Sequence, residues 1–146
     1  MAERRPLELL AELAQERRDA AGRRLGHSLT LLKDSESRLT LLERYRNEYQ
    51  QRYARAGSGG VGADELRNFR SFLERLDQAV AQQRAEVEAL ARGAHESRGR
   101  WLKERTRGKS LDVLTERAES AERTAEARRL QKLLDEFPRR LARDTR

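Results

Sequence analysis

Residues 66–101 read LRNFRSFLERLDQAVAQQRAEVEALARGAHESRGRW. Within them Leu66, Phe69, Leu73, Leu76, Val80, Gln83, Val87, Leu90, Ala94, Ser97 and Trp101 stand alternately three and four residues apart, without a break. The same count continues through Glu104, Gly108 and Leu111. A stripe on a 3.5-residue period marks a helix that needs a second helix along it, because alone it would leave the stripe in water.

Just upstream lies Gly57-Ser58-Gly59-Gly60-Val61-Gly62, the only internal stretch whose residues cannot continue a helix. Before it the spacing returns with stutters, at Leu7, Leu10, Ala14, Ala21, Leu25, Leu29, Leu32, Leu39, Leu42, Tyr49 and Tyr53. Two heptad helices joined by a short loop predict an antiparallel hairpin whose facing residues have numbers adding to about 119. Leu25 then meets Ala94, Leu29 meets Leu90, Leu32 meets Val87, Leu39 meets Val80 and Tyr53 meets Leu66. Glu36 falls opposite Gln83 as a polar layer, Leu10 opposite Leu111, and Leu7 opposite Leu114.

The expected fold is all-α: an antiparallel two-helix coiled-coil hairpin with unequal arms, the second helix overhanging, in a single domain over 1–146. Helix 1 is expected from about Pro6 to Arg55, roughly 75 Å, and helix 2 from about Asp64 to Phe137, roughly 110 Å. The loop takes 56–63 and a C-terminal tail 138–146. Pro6 suits a first helical turn, Asp64 suits an N-cap, and Pro138 ends or kinks the second helix. About 20 residues after Leu114 then lack a partner in the hairpin, with an alanine stripe at Ala118, Ala121 and Ala125 followed by Leu130, Leu133 and Leu134.

Composition agrees with so exposed a fold. Of 146 residues, 39% are charged and 36% hydrophobic, and mean hydropathy is −0.99. With no cysteine, disulfides, thiolate metal sites and cysteine nucleophiles are excluded. No apolar run approaches a membrane span, and the start lacks the apolar core of a signal peptide, so a cytoplasmic protein is expected. The net charge of +7 is spread along the chain and not gathered in a tail.

A two-helix hairpin has no concave interior in which to desolvate a catalytic group, so no enzyme is expected, and no catalytic, cofactor-binding or metal-binding residue is assigned. His27 and His95 read as solvated surface residues. The glycine stretch lacks the Lys-Ser/Thr ending of a phosphate loop.

Two surface features remain. Tyr45, Tyr49, Tyr53, Phe69 and Phe72 gather near the loop, and the apolar stripe is too wide there for two helices. Leu42, Tyr45, Tyr49, Phe72, Leu76 and Ala79 form one patch, the kind of exposed surface that binds protein. Arg98, Arg100, Lys103, Arg105, Arg107 and Lys109, opposed only by Glu104, form a basic cluster around Trp101. Five glycines, Gly22, Gly26, Gly93, Gly99 and Gly108, interrupt the helices, and their facing placement implies a flexible or closely packed middle.

Several of these residues together resemble the FliJ family of the flagellar type III export apparatus. They are Tyr45-Arg46-Asn47-Glu48-Tyr49, the glycine loop, Asn68-Phe69-Arg70-Ser71-Phe72-Leu73-Glu74-Arg75-Leu76, then Trp101, Arg105, Lys109, Leu111, Leu114, Arg117 and Asp135-Glu136. The resemblance implies a non-enzymatic coiled coil similar to the stalk of rotary ATPases. The end carrying the termini would enter the hexameric export ATPase, and the tip half would touch the membrane export gate. Handling of export chaperones is also implied, with the protein peripheral at the cytoplasmic face of the inner membrane. The gate surface maps onto Leu42, Tyr45, Tyr49, Phe72, Leu76 and Ala79. Arg100, Arg105, Lys109, Arg117, Arg128 and Arg129 are candidates for an ATPase or other acidic partner. The family surface usually carries glutamine and histidine where this chain has Arg38 and Gln83. The alternatives are the equivalent stalk of a virulence injectisome, a coiled-coil nucleic-acid binder using the 98–109 cluster, and a self-associating scaffold.

Overall fold

Alternating three- and four-residue spacing makes long amphipathic helices, and the computed structural model, which describes residues 4–144, consists of two. They are α1, Arg4–Ser58, and α2, Ala63–Asp144, with no strand among the described residues. The chain is an all-α antiparallel hairpin that divides into two compact units. One is Ala21–Trp101 and contains the turn; the other joins the beginning of α1, up to Ala20, to α2 from Leu102 onward.

The turn is shorter than the glycine content suggests. Ser58 Oγ donates to the carbonyls of Arg55 at 3.0 Å and Ala54 at 3.4 Å, which serves acceptors at the helix end and carries α1 three residues beyond Arg55. The Gly59 N–H donates to the Ala56 carbonyl at 3.3 Å, and Gly60 turns the chain with a φ of 76°, a region that favours glycine. The first bond of α2 runs from the Leu66 N–H to the Gly62 carbonyl at 3.1 Å. Gly62 therefore stands at the cap position expected for Asp64. Asp64 and Glu65 sit in the first turn, where acids favour the helix dipole, and Asp64 pairs with Arg67 at 3.3 Å.

Within the Ala21–Trp101 unit, the expected seam of α2 is buried or half-buried at every position from Leu66 to Trp101. The seam of α1 has no stutter. Ala21, Leu25, Ser28, Leu32, Ser35, Leu39, Leu42, Arg46, Tyr49, Tyr53 and Ala56 alternate by four and three, and all are at least half-buried. Leu29, expected inside, is 50% exposed, and Ser28 takes its place, with its hydroxyl 3.1 Å from that of Ser97. Likewise Gln83 does not meet Glu36, which is exposed. Its amide donates to the Oγ of buried Ser35 at 2.8 Å and to the Ser35 carbonyl at 3.1 Å. Matching the two seams position for position pairs Leu42 with Val80, Leu39 with Gln83 and Leu32 with Leu90. The shift from the expected pairing follows from the turn, which closes between Ser58 and Ala63. Val80, 1% exposed, is the only fully covered large side chain among the described residues.

The other unit continues the alternation. Leu7, Ala11, Ala14 and Arg18 on α1 face Glu104, Gly108, Leu111 and Thr115 on α2, all at least half-buried. Small and polar residues thus fill this seam, whereas Leu10 and Leu114, both expected inside, are each 48% exposed. Further on, every residue from Arg123 to Asp135 is exposed. Pro138 does not end α2, which runs through it to Asp144. A proline in the solvated end of a helix forfeits one backbone bond and crowds one carbonyl, and the chain beyond still continues the helix. Of the expected tail, residues 145–146 lie outside the described residues.

The middle glycines are not closely packed as a group. A Cβ built on Gly26, Gly93 or Gly99 meets nothing within 4 Å, and one on Gly22 meets Trp101 Nε1 at an ordinary 3.6 Å. Only Gly108 is tightly approached, by the guanidinium of Arg18.

Candidate functional site

In the Ala21–Trp101 unit the aromatic patch is built on the seam. Tyr49 is a half-buried seam residue, and its ring packs on Phe72 with centroids 4.6 Å apart at 48°, and on Phe69 at 6.4 Å and 52°. Both tilted contacts lie in the range where aromatic pairs attract. Arg52 stacks over the same ring, its guanidinium carbon 5.3 Å from the centroid. Phe72 stands one position outside the seam and remains 40% exposed, and Tyr45 stands likewise and remains 48% exposed. Leu42, Leu76 and Ala79 are half-buried. Of the six expected patch residues, Tyr45 and Phe72 therefore offer most surface, and the others support them.

Two flanking positions differ in availability. Arg38 is exposed, whereas Gln83 spends its amide on Ser35 inside the seam. The patch is edged by ion pairs between the helices: Arg84 Nη2 meets Glu43 Oε1 at 3.1 Å, and Arg46 Nε meets Asp77 Oδ1 at 3.9 Å. Exposed pairs of this kind contribute under about 1 kcal/mol, and they also fix which faces of the helices meet.

The unit formed by 4–20 and 102–144 carries a surface that apolar counting missed. Leu10, Leu13 and Ala14 on α1 and Arg107, Ser110 and Leu111 on α2 line an open groove of about 320 Å³, with Arg17 at its edge. Leu9, Leu13, Leu102 and Val113 are also exposed in this unit. A strict heptad count would have found the groove, because it puts Ala11 in the seam and turns Leu10 and Leu13 outward. Farther along α2, Leu130, Leu133, Leu134 and Phe137 line a second shallow depression of about 220 Å³ with Glu136.

The candidate cations are all exposed: Arg100 in the first unit, and Arg105, Lys109, Arg117, Arg128 and Arg129 in the second. Arg129 donates to the Ala125 carbonyl at 3.4 Å, and Glu104 pairs with Arg107 at 3.7 Å. Among the described residues no His/Cys/Asp/Glu group could hold a metal ion, and His27 and His95 are both exposed. Among the described residues no helix is long and apolar enough to cross a membrane.

A two-helix hairpin with an unbroken heptad seam, and with further large apolar side chains left on its surface, belongs to the class of antiparallel helical coiled coils. The sequence model of the family described as "Flagellar FliJ protein" matches residues 3–146. The chain is 30% identical over 142 residues to the "Flagellar FliJ protein" of Escherichia coli (strain K12), covering 97% of each chain. It is 29% identical over 142 residues to the protein of the same name from Salmonella typhi, again covering 97% of each. The chain belongs to the flagellar FliJ family and is a component of the flagellar export apparatus.

Proposed function

We propose that the protein is a non-enzymatic stalk that couples the hexameric flagellar export ATPase to the membrane export gate. The observation that carries this reading is the outward turn of large apolar side chains in each unit. Tyr45 and Phe72 are exposed beside the turn, and Leu9, Leu10 and Leu13 are exposed near the start of α1. A chain that only had to hold itself together would place these groups in its seam. The aromatic patch receives the gate. The Leu10–Leu13–Leu111 groove, with Arg17 and Arg107, receives the ATPase. Emptied export chaperones are further partners, and the site of action is the cytoplasmic face of the inner membrane at the flagellar base.

The test is ATP hydrolysis by the purified export ATPase of the same organism, with and without the intact chain. The chain should raise the rate. Leu10→Glu/Leu13→Glu should remove the stimulation, and Tyr45→Ala/Phe72→Ala should keep it while losing the gate fragment in pull-down. No stimulation by a chain of confirmed helicity sinks the stalk reading.

A further inference from the structure

We propose that a second copy of this chain covers the Leu130–Phe137 face of α2, the two α2 segments packing antiparallel about a two-fold axis near Leu133. Leu130, Leu133, Leu134 and Phe137 recur at the spacing of one helix face and are 59–62% exposed. The hairpin cannot cover them, because its last matched layer is Leu7 with Thr115 and every residue from Arg123 to Asp135 is exposed.

Charge selects the occupant and its direction. Arg129 and Glu136 are seven residues apart, so they lie on the same edge of the apolar face, one toward each end of it. In an antiparallel pair, Arg129 of each copy comes beside Glu136 of the other, and the contact is made twice. Leu130 then packs near Leu133 and Leu134 of the second copy. A parallel pair would turn this edge of each copy toward the opposite edge of the other, where Gln131 and Pro138 stand, and would gain no such ion pair. The face is thus complementary to itself in one orientation, as a two-fold contact requires.

The contact is small. Four apolar side chains over about two helical turns fall short of the ~800 Å² per partner of a standard stable interface. The pair is accordingly weak and forms where the chain is concentrated.

Sedimentation equilibrium of the full chain tests the pairing. A monomer–dimer equilibrium is expected, with a dissociation constant on the order of 100 μM. Leu133→Glu/Leu134→Glu should abolish the dimer with helicity unchanged. Arg129→Glu should weaken it about fivefold or more, and Arg129→Glu/Glu136→Arg should restore it to within about twofold. The chain has no cysteine, so Leu133→Cys adds a single thiol beside its own copy; it should cross-link on mild oxidation, whereas Leu31→Cys should not. A monomer at ~0.5 mM, or a dimer that ignores both the leucine and the charge substitutions, overturns the proposal. The stalk reading stands or falls separately, on the ATPase assay.

Discussion

The guanidinium of Arg18 lies against Gly108 so closely that a Cβ there would come within 3.0 Å of Arg18 Cζ and 3.2 Å of Nε and Nη2. Glycine at this buried seam position is the space that lets an arginine occupy the seam opposite. Arg18 is held from the other side by Gln15, whose Oε1 accepts from Nη2 at 2.7 Å. Two effects therefore oppose each other at Gly108. Alanine would gain about 1 kcal/mol of helix propensity and would push the guanidinium from its place. Gly108→Ala alone should change stability by under about 0.5 kcal/mol, and in an Arg18→Ala background it should stabilise by about 1 kcal/mol. A double-mutant cycle by urea unfolding measures the difference, and equal effects in both backgrounds would show that the contact exerts no force.

The Ser35–Gln83 layer exchanges stability for register. A buried Ser35 hydroxyl and the half-buried Gln83 amide satisfy each other and no other level can offer the same bond. Ser35→Leu/Gln83→Leu should raise the melting midpoint, by about 1–3 kcal/mol in stability, and should lower specificity by favouring other oligomers. Circular dichroism melts and light scattering read the two effects. A destabilised double variant would mean that the layer contributes net stability.

Glycines along the helices differ sharply in what they permit. Gly26, Gly93 and Gly99 have open space where a Cβ would go, so alanine at each should stabilise by about 0.5–1 kcal/mol. Gly60, at a φ of 76°, should lose about 1–2 kcal/mol on the same change. If alanine at the first three destabilises, their role lies in motion and not in packing.

Tyr45 and Phe72 are separable by stability and joined by binding. Tyr45→Ala removes a half-exposed ring and should leave the melt within about 0.5 kcal/mol of the original. Phe72→Ala removes the ring that Tyr49 packs on and should destabilise by about 1 kcal/mol. Each should weaken capture of the gate's soluble domain at least tenfold, measured by calorimetry, if the patch is where the gate docks. Unchanged affinity in both would move the docking surface elsewhere.

The fold was legible because Leu66 through Trp101 keep one spacing with apolar residues at almost every position. In α1 the same spacing runs through Arg18, Ser28, Ser35 and Arg46, and following hydrophobicity instead of the count led to Leu10 and Leu29. Ser28 and Ser35 sit in this seam because a polar partner lies across it, Ser97 and Gln83, whereas Arg18 fits there because Gly108 leaves it space, its Nε remaining without a hydrogen bond. Those partners are far away in the chain, so no local pattern reveals them. The aromatic patch was legible, since its excess of rings is visible from width alone. The groove beside Leu10 and Leu13 was not, because it exists only where the leucines have already been displaced from the seam.

The unbroken alternation on both helices also sets which changes the chain tolerates. With so thin a core, exchanging one seam residue disturbs its own layer and the two beside it. Adding or deleting a single residue in either helix rotates everything beyond it by about 100° and turns each later layer out of the seam. Removing seven residues from each helix at matched layers instead leaves every face where it was. Variants of this protein should therefore differ in length by whole heptads, taken from both helices together.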